Sequence, residues 1–537
     1  MTLPKPFPYI DISEDYNPAI RLFGNRLISE QTILEYATEF LAIVFSEKKI
    51  ASETTADPIP TLQMLKKWTS GQSLKYKPPI KLNLKLFAFF GLSRIDGKHE
   101  VHEQHYRYLI RRLGNAMTFN RGSSDQVLDY LDDFLRGFQG AGFNRAWCAQ
   151  TFYPISPSLL TQETIWNETV ANSPKTKPST WEYAIENFAQ YFSRTKRNFM
   201  ARGGEILYLQ LCNVFRMNEE LVQSWADRFE LKDDERDLKK LHSQLTSEFM
   251  SLKGNYNSSL DQLVDFLEGL DSKTHEKTND EKYWLEGGWC PEESWPEGYL
   301  FAVELKRILT ATLDPVERID LLMTGCAMQV LRTICAQSVR HGAIEIVSET
   351  PLGYEWIFSA STSSPQQRQT SQRSLQYIQG IIQKALRKDE LQANASKHPR
   401  GTYKVKALYQ EADNKYGFKL LVSLGKKLGI IVPNTGPGAR FIMTDKLLRY
   451  LVISLVSPGD RITYQDFLQR MYLHYGIAIE GVQLANAMRW SGLPNNSAMQ
   501  ETKKAWLTDM LSAGGFLTEL SDAWSVVKNP FGRSQDI

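Results

Sequence analysis

The feature that most constrains this chain is an apolar stripe that recurs at helical spacing. In residues 28–48, ISEQTILEYATEFLAIVFSEK, apolar side chains fall at Ile33, Leu34, Ala37, Phe40, Leu41 and Val44, steps of mostly three and four that put them on one face of a helix. The pattern returns at 125–138, 220–231, 259–270, 316–339 and 374–386. Each stripe has to be covered by another, so the chain must pack helix on helix. The expected fold class is mainly α and, at 537 residues, multidomain. Stretches rich in Ser, Thr and Pro at 51–61, 173–180, 361–374 and 394–404 serve as candidate linkers. They suggest a helical N-terminal domain over 1–155, a helical acidic middle over 156–290, a helical domain with a β-hairpin over 291–395, and two small units over 396–443 and 444–537.

β signal is local. AIEIVS (343–348) and YEWIFSA (354–360) flank a Pro-Leu-Gly turn and predict one hairpin. A second is predicted at 430–443, where Asn434, Gly436 and Gly438 can supply positive φ between two short runs. The third, FLTEL and WSVVKN joined at Ser521-Asp522, lies almost at the end of the chain.

What precedes the last two hairpins gives them meaning. Residues 404–416 and 418–429 read as two short helices leading into the hairpin at 430–443. The order then recurs more fully. A helix through Leu447, Leu448, Leu451, Val452 and Leu455 stops at Pro458-Gly459, RIT is a short strand, and Thr463 caps a second helix that ends at Gly476. EGVQLANAMRWSG adds a further helix, and a last one spans about 498–512 before the final hairpin. This order of elements resembles the winged helix-turn-helix family, in tandem over 404–537, with a helical insertion between its second and third helices. The resemblance implies that 498–512 is the helix that enters a DNA major groove and that the wings touch phosphate. Lys503, Lys504, Arg489, Arg440, Lys528, Lys426 and Lys427 are the candidate nucleic-acid contacts. The same helix carries Glu501 and Asp509, so its net charge is small. Winged helices also dock proteins, and the fold alone does not choose between the two partners.

The total charge, +2, marks no general polyanion binder, but its distribution is uneven. Residues 61–125 hold 12 Lys and Arg against 4 acids, and 396–537 hold 18 against 11. Between them lies an acidic block centred on DRFELKDDERD, which reads most simply as solvated helix faces; docking on the chain's own basic ends would explain the near-zero total. In the first basic region Lys66, Lys67, Lys75, Lys77, Lys81, Lys85 and Arg94 interleave with Trp68, Tyr76, Phe87, Phe89 and Phe90, a pattern of either a base-stacking surface or a core rimmed by lysines.

No complete catalytic or cofactor motif appears. GLSRIDGKHE has one residue too many for a phosphate-binding loop and no hydroxyl after Lys98, and GPGARF lacks the dinucleotide-binding spacing. GYLFAVELKR ends an apolar run in Glu-x-Lys and so resembles the active-site strand of PD-(D/E)xK nucleases; Glu304 and Lys306 would then serve catalysis, with Asp280 or Glu297 as the first acid. Helical spacing through Ile308 and Leu309 argues instead for an ordinary helix. His99, His102 and His105 at steps of three offer an alternative metal site, without the zincin spacing. No cofactor is expected.

Five widely spaced cysteines with no CxxC pair indicate reduced thiols. The proline- and acid-containing start lacks the basic and apolar segments of a signal peptide, and the longest strongly apolar runs are near half a bilayer-spanning length. The expectation is a cytoplasmic protein with no membrane span. Its expected role is that of a non-catalytic DNA-associated or scaffolding subunit, with duplex DNA and other protein subunits as partners. Composition and architecture look similar to accessory subunits of bacterial DNA-defence and restriction systems, which implies an antiviral setting. The alternatives are the metal-dependent nuclease and an assembly factor that docks proteins through its winged helices.

Overall fold

Helices begin where the sequence supplies a cap. In the computed structural model, which describes all of the chain but residues 1–2, 14, 26, 70, 91–98, 117–123, 143–144, 194–201, 255–257, 272–283, 343–346, 495–505, 522–523 and 533–537, Thr32 opens α1 (Ile33–Val44). Its hydroxyl accepts from the Glu35 N–H while the Glu35 carboxylate accepts from the Thr32 N–H, a reciprocal capping box. The molecule is mainly α, as the stripes require, with strands confined to sheets of two to four among the described residues.

The centre is built from α1, α2 (Gly203–Val214), α3 (Trp295–Thr310), α4 (Pro315–His341) and α5 (Pro365–Leu386), packed in succession, with α4 also returning against α1. Every residue of α3 from Trp295 to Leu309 is buried. Its apolar members, such as Leu300, Phe301, Val303 and Ile308, each contribute roughly 1.5–3 kcal/mol by leaving water. Close approach to α2 depends on Gly298, where a Cβ would sit 2.7 Å from the Gln210 carbonyl oxygen. By length and apolarity α4, 27 residues long, could cross a bilayer, but 89% of its most apolar window is buried against neighbouring elements. It is a core helix, lengthened beyond the short apolar runs by Thr, Gln and Arg residues that bond inside the core.

Two large cores result. One runs from Phe7 to Val527 and includes all five central helices; the other gathers residues between Ile80 and Leu270. All five cysteines are free and buried.

The strand expectations fared unevenly. The hairpin at 430–443 forms, as β1 (Ile431–Val432) against β2 (Arg440–Phe441). The one at 343–360 does not form over the described residues: Trp356–Ile357 pairs in parallel with Ile477–Ala478 instead, and residues 343–346 lie outside the description. Glu355, adjacent to that strand, accepts the Ser348 hydroxyl and the Glu349 N–H, so the turn is held by a side chain rather than by a ladder.

α3 also buries four charged side chains, and each finds a partner of opposite sign. Glu297 faces Arg340 at 2.6 Å, Glu304 accepts from Arg332 at 2.6 Å, Lys306 pairs with Asp234, and Arg307 donates to both oxygens of Glu235 at 2.8 and 2.7 Å. The acidic block therefore docks on the central helix; its links to the C-terminal region include the Lys232–Asp460 pair, in which it supplies the cation, the Gln469 amide on Glu230 at 3.4 Å and the His474 ring beside the Phe229 carbonyl at 3.2 Å. From Arg332 a buried polar chain continues through Gln329 and Gln210 to Ser294.

Removing one member of a buried pair strands the other's charge, so Glu304→Ala should cost about 3–5 kcal/mol in urea unfolding. Replacing both Glu304 and Arg332 by Met should recover most of that loss. For Glu235, burial alone would raise the carboxyl, but Arg307 and Lys306 outweigh it and hold the group at about 2, against an ordinary 4.5. A depressed carboxylate stabilises the fold above its unfolded pKa and loses that contribution as pH falls through the folded one. Acid titration of unfolding free energy should thus show ~3 kcal/mol lost between about pH 4.5 and 2, a loss that Glu235→Gln flattens.

Candidate nucleic-acid interface

The C-terminal unit assembles from signals visible in its own sequence. Thr444 caps α6 (Asp445–Leu455) and Thr463, at the end of β3 (Arg461–Thr463), caps α7 (Tyr464–Tyr475) by accepting from the Asp466 N–H at 3.1 Å. Gly476, at φ +66°, ends that helix in the left-handed region. α8 (Gly481–Trp490) follows, then α9 (Trp506–Ala513), β4 (Leu517–Ser521) and β5 (Trp524–Lys528). The three strands form one antiparallel sheet in the order β3-β5-β4. The short RIT strand is thus joined to the final hairpin across the whole unit.

Register sorts the two faces of that sheet. Val527 is buried opposite Ile462 on one side and Leu517 on the other, so this row faces the helices. On the alternate face Arg461 lies directly opposite Lys528, and both are exposed. Among the described residues neither has an acid within ion-pair distance; the nearby Asp460 is taken by Lys232. Like charges in cross-strand register repel. At the hairpin tip, the end of β5 away from Lys528, Leu520 and Trp524 are 60% and 63% exposed, an apolar pair at the opposite end of the strand from the cationic one. Such a surface can hold a phosphate between two cations while an indole stacks on or wedges against bases.

The candidate contacts separate into groups. Lys528 sits in the cation pair just described. Arg461, its partner, was missed from sequence, because only the register of β3 against β5 brings the two together. Arg489 is exposed on α8, 3.4 Å from the Asn486 amide oxygen. Lys503 and Lys504 lie outside the described residues, as does the first part of the expected 498–512 helix. Arg440, Lys426 and Lys427 belong to the preceding unit, whose sheet has two strands. Lys426 donates to the Asn434 carbonyl at 2.9 Å across the hairpin loop. Lys427 donates to the carbonyls of Ser29 and Gln31 at 2.9 and 2.8 Å, and burial holds its ammonium below the ordinary lysine range. It ties the chain's own segments together while the residue as a whole stays exposed.

Other expected sites become structural. Glu304 and Lys306 stand on helix α3, not on a strand, and both are engaged in ion pairs: the arrangement of a metal-binding nuclease strand is absent, and Glu297 is committed to Arg340. Asp280 lies outside the described residues. His99, His102 and His105, on or beside the helix Glu100–Ala116, are buried in the second core. The ring of His102 meets Trp147, Trp166 and Trp181, and His105 stacks on Trp181 at 4.4 Å while bonding the Asn83 amide oxygen at 3.1 Å. Burial pushes both imidazoles down to about 3, so they are neutral packing groups at pH 7. No cluster of three potential ligands occurs among the described residues. In the basic-aromatic stretch the aromatics are interior, with Trp68, Tyr76, Phe87 and Phe89 buried, while Lys66, Lys67 and Lys75 are exposed at the rim and Lys85 donates inward to the carbonyls of Cys148 and Gln162.

No protein-family model matches the chain, and neither a curated protein nor a solved structure gives a significant match. The unit's own geometry makes a direct prediction. Lys528→Glu turns a repulsive cross-strand pair into an attractive one and should raise stability by roughly 0.2–1 kcal/mol at low salt in urea unfolding. The gain should shrink as salt screens the pair.

Proposed function

We propose that residues 444–537 form a winged helix and that the chain is a non-catalytic, DNA-associated subunit of a larger assembly. The order helix, strand, three helices and hairpin, with the early strand paired to the last one and α8 as the extra helix, supports the winged-helix reading. The single observation that carries the DNA reading is the Arg461–Lys528 couple on the open face of the sheet, without an acid partner among the described residues. Holding two like charges in register costs stability, and a bound phosphate would offset that cost. In this reading the helix ending at Ala513 lies against the duplex, Lys503 and Lys504 extend the contact, and Arg489 adds charge from α8. The setting expected from the sequence, an accessory subunit of a bacterial DNA-defence system, fits this role.

A protein partner is the second reading, and the exposed Leu520 and Trp524 favour it. Both readings keep the chain a binder rather than a catalyst, because the residues that would have served a nuclease are engaged in the core.

Fluorescence anisotropy with labelled duplex DNA should show binding that weakens steeply as salt rises. Arg461→Glu combined with Lys528→Glu should weaken it at least tenfold and reduce the salt slope by about two. Absence of binding even at low salt would refute the DNA reading. In affinity purification from the host, Leu520→Ser with Trp524→Ala should leave co-purifying subunits in place if DNA is the target, and should release a specific subunit if a protein is.

A further inference from the structure

The face of the C-terminal sheet that carries Arg461 and Lys528 continues along β5. Side chains two residues apart on a strand point the same way, so Lys528, Val526 and Trp524 form one row on the side away from Val527. Arg461 stands beside Lys528, and Thr463 and Thr518 flank Val526. At roughly 3.3 Å per residue the row sets the indole about 13 Å from the cations. Arg461, Lys528, Thr518 and Trp524 are exposed and Val526 is half-buried, so the row is open to solvent along its length.

Charge is sorted between the two faces. Glu519 is the only acid on the three strands, and its register opposite Ser525 places it on the Val527 side. Asp460, next in sequence to Arg461, is held by Lys232. Among the described residues the three strands therefore present on their open face two cations, two threonines and one large aromatic ring, without an acid. Such a face complements a chain that alternates phosphates with flat rings.

We infer that this row is a track for single-stranded DNA, with the Arg461–Lys528 couple on a backbone phosphate and the indole of Trp524 stacked on a base. The inference deepens the DNA reading and rests on it. A base inside a duplex has both faces covered by its neighbours. To reach one, Trp524 would have to wedge open a base step and kink the duplex, a cost that an unpaired strand does not carry. The favoured DNA is therefore one with an unpaired stretch beside its duplex, the duplex lying on the helix that ends at Ala513 and the loose strand on the sheet.

Fluorescence anisotropy of the full chain tests this with four labelled probes: a thymidine oligonucleotide, a blunt duplex, the same duplex carrying a single-stranded thymidine tail, and a uridine oligoribonucleotide. The tailed duplex should bind at least tenfold more tightly than the blunt one. Trp524→Ala should cancel most of that difference, roughly the tenfold that losing one stacked base entails, and Trp524→Phe, which keeps a ring, should retain it. Binding of the thymidine strand should weaken with salt, at a slope that Arg461→Gln with Lys528→Gln reduces by about 1.4, the value for two phosphate contacts on a single strand. Equal affinity for the tailed and blunt duplexes, an equal loss on both in Trp524→Ala, or tighter binding of the uridine strand than of the thymidine strand would overturn the inference, while duplex binding would keep the DNA reading in place. Failure of all four probes to bind would remove the DNA reading and the inference together.

Discussion

The arrangement rests on the need to pair every charge that α3 carries into the core. A helix buried on all sides cannot leave Glu297, Glu304, Lys306 and Arg307 uncompensated, because an isolated ion in low dielectric is far costlier than any packing gain. The four partners come from three places: Arg340 at the end of α4, Arg332 at its middle, and Asp234 and Glu235 in the acidic block. Helix positions that apolar packing alone would leave free to slide are thereby set in register. The same residues connect outward. Arg307 also donates to the Ser454 carbonyl on α6 at 2.8 Å, and Arg332 lies 4.4 Å over the ring of Tyr475 on α7. The C-terminal unit is thus anchored on the charged core of the protein.

Helices and their ends were legible in the sequence because they are decided locally. Thr463 and Gly476 mark α7 by short-range chemistry, and the stripe at 316–339 lies within α4. Long-range pairings were not. Nothing near Trp356 announces that its strand partner is Ile477, and the apparent hairpin at 343–360 misled because a turn signal says nothing about which edges it joins. Charges misled in a similar way. Glu-x-Lys at Glu304 looked like chemistry and is a pair of core counter-ions, while three histidines at helical spacing looked like ligands and are packed among tryptophans. Spacing reports which residues share a face and is silent on what that face meets.

The candidate interface was half visible. Lys528 could be named from the final strand, but its significance comes from Arg461, which stands across from it only after the unit has folded. Arg461 and Lys528 stand out because neither has an acid within ion-pair distance among the described residues. Lys427 and Lys85 differ, since each ammonium already donates to two backbone carbonyls of the chain.

The two-residue parallel ladder between Trp356–Ile357 and Ile477–Ala478 sits just after α7, at the point where α8 departs. It splices the C-terminal unit into the central body halfway along its length, and the small core of Tyr472, Leu484, Ala487 and Met488 closes over Ile357 from the unit's side. The unit is therefore not a pendant on a tether. In the proposed role a duplex or partner held by its sheet would acquire a fixed heading relative to the body, and a pull on the hairpin would be transmitted to the core as torque rather than absorbed by a hinge.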